Sequence, residues 1–189
     1  ILLDENDIFA QHTTEHGKPP AEVSVVGTSH NHKLFMYGID ADGAERYDVV
    51  IKDLESGKPV EHKLEKIGHM MAAWSPCSRY IFFTQSDERM RQNAMCVYNV
   101  ETQETKTIAT EENTLYRMGF EVSNCDDILL ITSRGHGEFS YSFVYIGEGR
   151  EWDSDWTPTS LWEMQKGVKA SIAFQVSTVE YLANKKKNK

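Results

Sequence analysis

The sequence contains few cysteines, no long apolar run and no excess of positive charge. Its three cysteines, Cys77, Cys96 and Cys125, are far apart and form no C-x-x-C pair, so neither a disulfide framework nor a zinc site is indicated. No apolar segment approaches the ~20 residues that a membrane span requires. With 29 acidic against 20 basic residues and a net charge of -9, the chain lacks the basic face that binds nucleic acid.

The N-terminus lacks both an initiator methionine and the basic and apolar segments of a secretory signal. We therefore expect an internal segment of a longer cytoplasmic protein whose cysteines are reduced. The one dense basic run lies in residues 185–189, and we expect it to be a solvated tail.

Internal repetition is the most informative feature of the sequence. A polar turn followed by a hydrophobic strand occurs three times, with the turns starting at Ser29, Ser75 and Ser123, 46 and 48 residues apart. A mixed run precedes each turn, and a second run rich in β-branched and aromatic residues follows the first strand. In the first two units an alternating outer strand comes next, over residues 60–64 and 105–109. Each unit is therefore predicted to have four strands.

A four-stranded antiparallel unit that recurs every ~40–50 residues is typical of a β-propeller blade. A β-sandwich also has regularly spaced strands, but it does not require similarity between units, so the repeat favours an all-β, partial β-propeller. The predicted division is a linker over residues 1–20, blades over residues 21–66, 67–114 and 115–166, an incomplete blade over residues 167–184 and the tail over residues 185–189. A complete four-bladed ring is an alternative, but residues 184–189 supply no closing strand.

Several segments resemble the propeller of the prolyl oligopeptidase family of serine peptidases, and within it the oligopeptidase B branch. Residues 2–6, 34–47 and 51–57 resemble the start of that propeller. Residues 71–76 and 80–84, and the acidic stretch of residues 111–113 before Tyr116, resemble its second blade and the exit from it. The resemblance implies a two-domain cytosolic enzyme, in which a seven-bladed propeller caps an α/β-hydrolase domain with a Ser-Asp-His triad. Short peptides would be admitted and cleaved after Arg or Lys.

The sequence contains no Gly-x-Ser-x-Gly nucleophile elbow, the motif that exposes the serine of such a triad. The family's triad and acidic specificity residues belong to the hydrolase domain, so the resemblance assigns no catalytic, cofactor-binding or metal-binding residue to this chain. We expect the chain to be inactive alone, and to have as partners the hydrolase domain, the remaining blades and short basic peptides. A non-catalytic propeller that binds other proteins is the alternative.

Some residues could suggest a more specific site. His30 and His32 form an H-x-H pair, but a polar turn explains them without a metal. The i,i+4 pair His12 and His16 is followed by residues 17–20, which include Gly and two prolines and should break any helix there. Cys77 and Cys125 are expected to be surface thiols, and the repeated serines are expected to open turns rather than to act as nucleophiles.

The segment with Trp152, Asp153, Asp155 and Trp156 could bind a cationic group, but a surface loop anchored by its tryptophans is the favoured interpretation. Together with Glu111 and Glu112, its carboxylates would attract a basic peptide.

An open arc of blades should leave apolar strand residues uncovered at its two ends. The residues expected there are Val23 and Val25 at one end and Ala170 and Ile172 at the other. We expect the isolated chain to self-associate through these faces, and residues 4–11 to form a hinge at the entry to the propeller.

Overall fold

The computed structural model describes residues 2–17, 19–64 and 67–163, so the blade predicted over residues 167–184 lies outside the described part of the chain. The described elements are α1 (Glu5–His16), β1 (Glu22–Thr28), β2 (Leu34–Asp40), β3 (Arg46–Asp53), β4 (Ile67–Gly68), β5 (Ala72–Trp74), β6 (Tyr80–Ser86), β7 (Gln92–Asn99), β8 (Glu104–Thr110), β9 (Arg117–Val122), β10 (Ile128–Gly135), β11 (Glu138–Tyr145) and β12 (Thr159–Glu163). Among these residues no helix has the length and apolarity of a membrane span.

The twelve strands form three four-stranded sheets, β1 to β4, β5 to β8 and β9 to β12. Within each sheet every strand pairs antiparallel with the next one along the chain. Short connections join such neighbours, which is why each unit of the sequence repeat forms its own sheet. The all-β class and the four-stranded unit are thus confirmed.

The sheets pack face to face, and the middle sheet is buried on both sides. Ile81 and Phe83 of β6 lie in a core shared with the first sheet, whereas Tyr80 and Phe82 lie in a core shared with the third. Successive side chains of a strand point to opposite faces, so a strand buried on both faces has a continuous rather than an alternating apolar pattern. Burial of each such side chain contributes roughly 1.5–3 kcal/mol.

The outer strand of the first sheet was predicted in the wrong place. β4 is only Ile67–Gly68, and residues 60–64 are not part of a strand. Pro59 has no N–H to donate and forms only a single bridge with Lys52. The following segment turns toward the second sheet, where the Lys63 N–H donates to the Tyr98 hydroxyl at 3.1 Å. The Val60 N–H still donates to the Ile51 carbonyl of β3 at 2.7 Å, but the pairing is not continued over residues 61–64, so the alternating sequence does not become a strand.

The segment predicted as a linker contains helix α1. The Asp4 side chain accepts the Asn6 N–H at 2.9 Å at the N-terminal end, as is usual for an N-cap residue. At the other end Gly17 adopts a left-handed conformation with φ of 69° and donates its N–H to Thr13 O. Gly17 thus ends the helix after His16 instead of preventing it, and the prediction of a broken helix was wrong. The side chains of His12 and His16 lie outside the described part of the chain.

The face of the first sheet that points away from the second is only partly open. Val25 is 53% exposed, as expected for the end of an arc, whereas Val23 is half-buried. Phe35 and Ile39 lie on the same face and are each only 4% exposed. Self-association through this face therefore remains a prediction that depends mainly on Val25, and Ala170 and Ile172 lie outside the described residues.

Candidate functional site

The first strands of the three sheets, β1, β5 and β9, lie along one edge of the stack, which we call the inner edge. β1 contacts β5 directly. A Cβ atom built on Gly119 of β9 would lie 4.0 Å from Sδ of Met71, the residue just before β5. The inner edge is one part of the described chain where residues from neighbouring sheets face a common space.

A cavity of about 310 Å³ opens at this edge, lined by the third sheet, β7 and the segment before β5, and we call it the axial cleft. The face of β9 that carries Arg117 points away from the second sheet, because Met118 and Phe120 of the same strand pack on that sheet. One wall consists of residues 117–121 of β9 with Thr132 and Arg134 of β10. The other wall consists of His69, Met71 and Gln92. The axial cleft is lined by cationic, acidic and apolar side chains.

Two arginines dominate the charge of the axial cleft. Arg117 and Arg134 are register partners in the β9–β10 ladder, so their side chains lie directly opposite each other on the same face of the sheet. Both residues are exposed. In the described part of the chain neither guanidinium has an ion pair or hydrogen bond. Glu121 lies four residues further along β9, about 13 Å from Arg117 at ~3.3 Å per residue.

The segment that leads into β9 is held by Arg91. Its Nη1 donates to the carbonyl oxygens of Glu111, Asn113 and Tyr116 at 3.1, 2.9 and 2.9 Å. Its Nε donates to the Asp87 carboxylate at 2.9 Å. The Arg91 backbone N–H and guanidinium both favour the ionised form of Asp87 and hold the pKa of that carboxyl below its ordinary value. Arg91 thereby fixes the position at which β9, and with it Arg117, begins.

The acidic pair Glu111 and Glu112 does not form one patch. The Glu111 carboxylate accepts hydrogen bonds from the Ser133 hydroxyl and from the Asn113 N–H. These bonds stabilise the segment that connects the second sheet to the third. Glu112 is exposed. Attraction of a basic peptide by these carboxylates stays a prediction, and in the structure it rests on Glu112.

The tryptophan segment, which we define as the anchor loop of residues 147–157, packs on the second sheet. Lys106 Nζ lies 4.3 Å from the centroid of the Trp152 ring, and Arg150 Cζ lies 4.3 Å from that of Trp156. Arg79 also binds the Glu151 carboxylate with two hydrogen bonds, of 2.9 and 3.0 Å. Because the protein's own cations already cover a face of each ring, the structure favours an anchored loop over a site for an external cation.

The three repeated serines open equivalent turns, as predicted. Each hydroxyl oxygen accepts the N–H of the residue five positions on, at 3.0, 2.9 and 3.1 Å in chain order. All three serines are buried. Each hydroxyl therefore supplies the acceptor that closes the turn between the first and second strands of its sheet.

The histidines and cysteines of these turns form no metal centre within the described residues. His30 Nδ1 lies 3.7 Å from the Asp126 carboxylate, so the first and third turns lie close together. Cys77 and Cys125 are exposed thiols not joined in a disulfide, in agreement with the prediction. Cys96 is buried, and burial raises the pKa of its thiol.

Successive four-stranded antiparallel meanders that stack face to face, with their first strands at a common inner edge, define the class of β-propellers. The model of the family described as prolyl oligopeptidase, N-terminal β-propeller domain, matches residues 1–173. The chain therefore belongs to this family, and the resemblance identified in its sequence is confirmed.

Related proteins agree with this assignment. Protease 2 from Moraxella lacunata is 33% identical over 94 residues, which cover 48% of this chain and 12% of that protein. Oligopeptidase B from Leishmania major has a similar structure, with a TM-score of 0.69 and 17% identity, over 85% of this chain and 22% of that one. Oligopeptidase B from Trypanosoma brucei, in a closed form with covalently bound antipain, gives a TM-score of 0.68 and 22% identity, over 89% and 22% of the two chains. The present chain thus spans less than a quarter of each of these three proteins.

Proposed function

We propose that this chain is part of the propeller that controls access to the active site of a serine oligopeptidase. The observation that carries the proposal is the family match over residues 1–173, together with the similarity to two oligopeptidase B structures. In this proposal the catalytic triad lies in an α/β-hydrolase domain elsewhere in the full-length protein. That domain and the other blades are the chain's principal partners, and we place the enzyme in the cytoplasm.

The propeller contributes selection rather than bond chemistry. In the hydrolase domain a serine, activated by a histidine, attacks the peptide carbonyl, and backbone donors stabilise the oxyanion. A cap over such a site excludes bulk water and admits only ligands that pass its openings. The inner edge of the three blades is the surface that such a ligand meets in this chain. The acid-rich composition, with a net charge of -9, supports a preference for basic peptides, which would be cleaved after Arg or Lys.

A cleavage assay on the full-length protein tests both parts of this proposal. We expect efficient cleavage of a peptide of about ten residues after its single Arg, and little cleavage when Gln replaces that Arg. We also expect no cleavage of the same sequence when it is placed in a loop of a large folded protein, because the propeller excludes it. Cleavage of the folded substrate at a comparable rate would contradict the gating role, and equal cleavage of the Gln peptide would contradict the basic preference. Failure to cleave any peptide would favour a propeller that only binds other proteins.

A further inference from the structure

Arg117 and Arg134, the arginine pair of the axial cleft, are an unfavourable pair for two neighbouring strands. Like charges that lie directly opposite each other on neighbouring strands destabilise a sheet. Arg117 and Arg134 occupy such positions, and no carboxylate in the described part of the chain neutralises either of them. The nearest acidic side chain on their face of β9, Glu121, lies about 13 Å along the strand at ~3.3 Å per residue. The local charge therefore suits an anion supplied from outside these residues.

Guanidinium groups recognise one kind of anion especially well. Each presents a planar fork of N–H donors that matches the two oxygens of a carboxylate. Two forks on one face can donate to the same carboxylate from both sides. The surrounding space supports a ligand of limited size, because the axial cleft has a volume of about 310 Å³.

The charges along β9 differ between the two ends of the axial cleft, so they would orient a bound peptide. Arg117 lies at the start of the strand and Glu121 near its end. An extended peptide advances ~3.3–3.6 Å per residue, so about four residues span the distance between the two side chains. A short peptide with a carboxylate beside the arginines would place a cationic group, such as its terminal ammonium or a basic side chain, toward Glu121.

We propose that Arg117 and Arg134 bind the free C-terminal carboxylate of the peptide substrate in the axial cleft. This inference rests on the proposed function, which supplies the peptide. It adds a specificity determinant on the propeller, outside the hydrolase domain, that favours short peptides with an unblocked C-terminus. Long or folded chains do not present such a carboxylate near the cleaved bond.

The test compares two forms of one substrate with the full-length protein. A short peptide with one Arg is prepared with a free C-terminal acid and with a C-terminal amide, and kcat/KM is measured for both. We expect the acid to be preferred by roughly tenfold, the effect of one charge-assisted interaction of ordinary strength. In the double variant Arg117→Gln/Arg134→Gln, kcat/KM should fall far more for the acid than for the amide, and the preference should largely disappear.

One further variant distinguishes the planar donor geometry of the guanidinium groups from their positive charge, and another is a control. Arg117→Lys/Arg134→Lys keeps both positive charges but loses the planar forks, so an intermediate preference is expected. Arg89→Gln removes an exposed positive charge from the β6–β7 turn of the second blade and should leave the preference unchanged.

Three results would overturn the inference. Equal cleavage of acid and amide by the unaltered enzyme, or a preference that survives the double glutamine substitution, would show that the arginines do not bind the terminal carboxylate. A lower melting temperature of the double glutamine variant, with the preference intact, would show that the arginines pair with another part of the protein. If neither peptide is cleaved by the unaltered enzyme, the proposed function fails and this inference fails with it, whereas equal cleavage leaves the proposed function standing.

Discussion

Replacing Trp156 with alanine is expected to destabilise the junction between the second and third blades by about 3–5 kcal/mol, the usual cost of removing a buried aromatic side chain. Trp156 is 5% exposed. Its ring meets Tyr80 edge-on at a centroid distance of 5.5 Å and lies 6.0 Å from the ring of Phe82. Its indole N–H donates to the Trp152 carbonyl at 3.1 Å, so the substitution also removes one of that acceptor's two hydrogen bonds and leaves the one from Lys106 Nζ.

The effect should be concentrated at one junction because the anchor loop belongs to the third blade and packs on the second. Hydrogen exchange of the full-length protein measures it locally: exchange of the β9 and β10 amides should accelerate at least about a hundredfold, since each tenfold corresponds to ~1.4 kcal/mol. The first blade, which Trp156 does not contact, should change much less.

Two comparison variants show whether the loss of stability is specific to the buried ring of Trp156. Trp156→Phe keeps an aromatic ring in the cluster and should cost less than Trp156→Ala. Asp153→Ala removes an exposed side chain from the same loop and should change stability by no more than about 0.5 kcal/mol. If Trp156→Ala leaves the exchange of β9 and β10 unchanged, the anchor loop does not hold the two blades together.

Replacing Arg91 with methionine is the second change for which we expect a large effect, roughly 3 kcal/mol. The guanidinium is mostly buried, with 12% of the side chain exposed. It is the donor for three backbone carbonyls and for the Asp87 carboxylate. Removing one partner of a fully buried charged pair costs about 3–5 kcal/mol, and the lower end is expected here because the Asp87 side chain is 24% exposed.

The Arg91→Met substitution should also affect the axial cleft. Residues 111–116 lose the group that fixes them, so their amides should exchange faster, and the start of β9 at Arg117 should become less well positioned. Arg91→Lys keeps the charge but cannot reach all four acceptors at once, and an intermediate result is expected. Arg89→Gln, two residues away and exposed, is the matched control. Unchanged exchange of residues 111–116 in Arg91→Met would contradict the role assigned to this side chain.

The repeat explains how much of the fold could be predicted. The three serine turns recur at nearly constant spacing, and each hydroxyl binds the backbone in the same way, so local chemistry alone defined the start of each blade. The outer strand of the first blade could not be predicted in the same way. Whether residues 60–64 pair with β3 depends on Pro59 and on the distant Tyr98 hydroxyl, and neither partner is apparent from an alternating pattern.

Helix α1 shows a different kind of error, because its signals were present in the sequence. Asp4 caps its first turn, Glu5 and Asp7 add acidic side chains there, and Gly17 ends it. A glycine followed by prolines, as after His16, is typical of the end of a helix and does not exclude one before it.

The candidate site was the part least accessible to sequence reasoning. Arg117 and Arg134 are 17 residues apart and meet only through the register of the β9–β10 hairpin. A change of one residue in that register would place them on opposite faces of the sheet. Likewise, Lys106 is distant in sequence from Trp152, whose ring it covers, so the anchor loop could be interpreted as an open site for a cation until the structure showed the occupied rings.

Fluorophosphonate labelling, applied in parallel to the full-length protein and to this 189-residue chain, tests the central claim most directly. We expect the full-length protein to be labelled, because its hydrolase domain supplies an activated serine, and this chain to remain unlabelled, because it belongs to the propeller. Labelling of this chain would contradict the assignment of catalysis to another domain, and absence of labelling in the full-length protein would contradict the proposed peptidase activity.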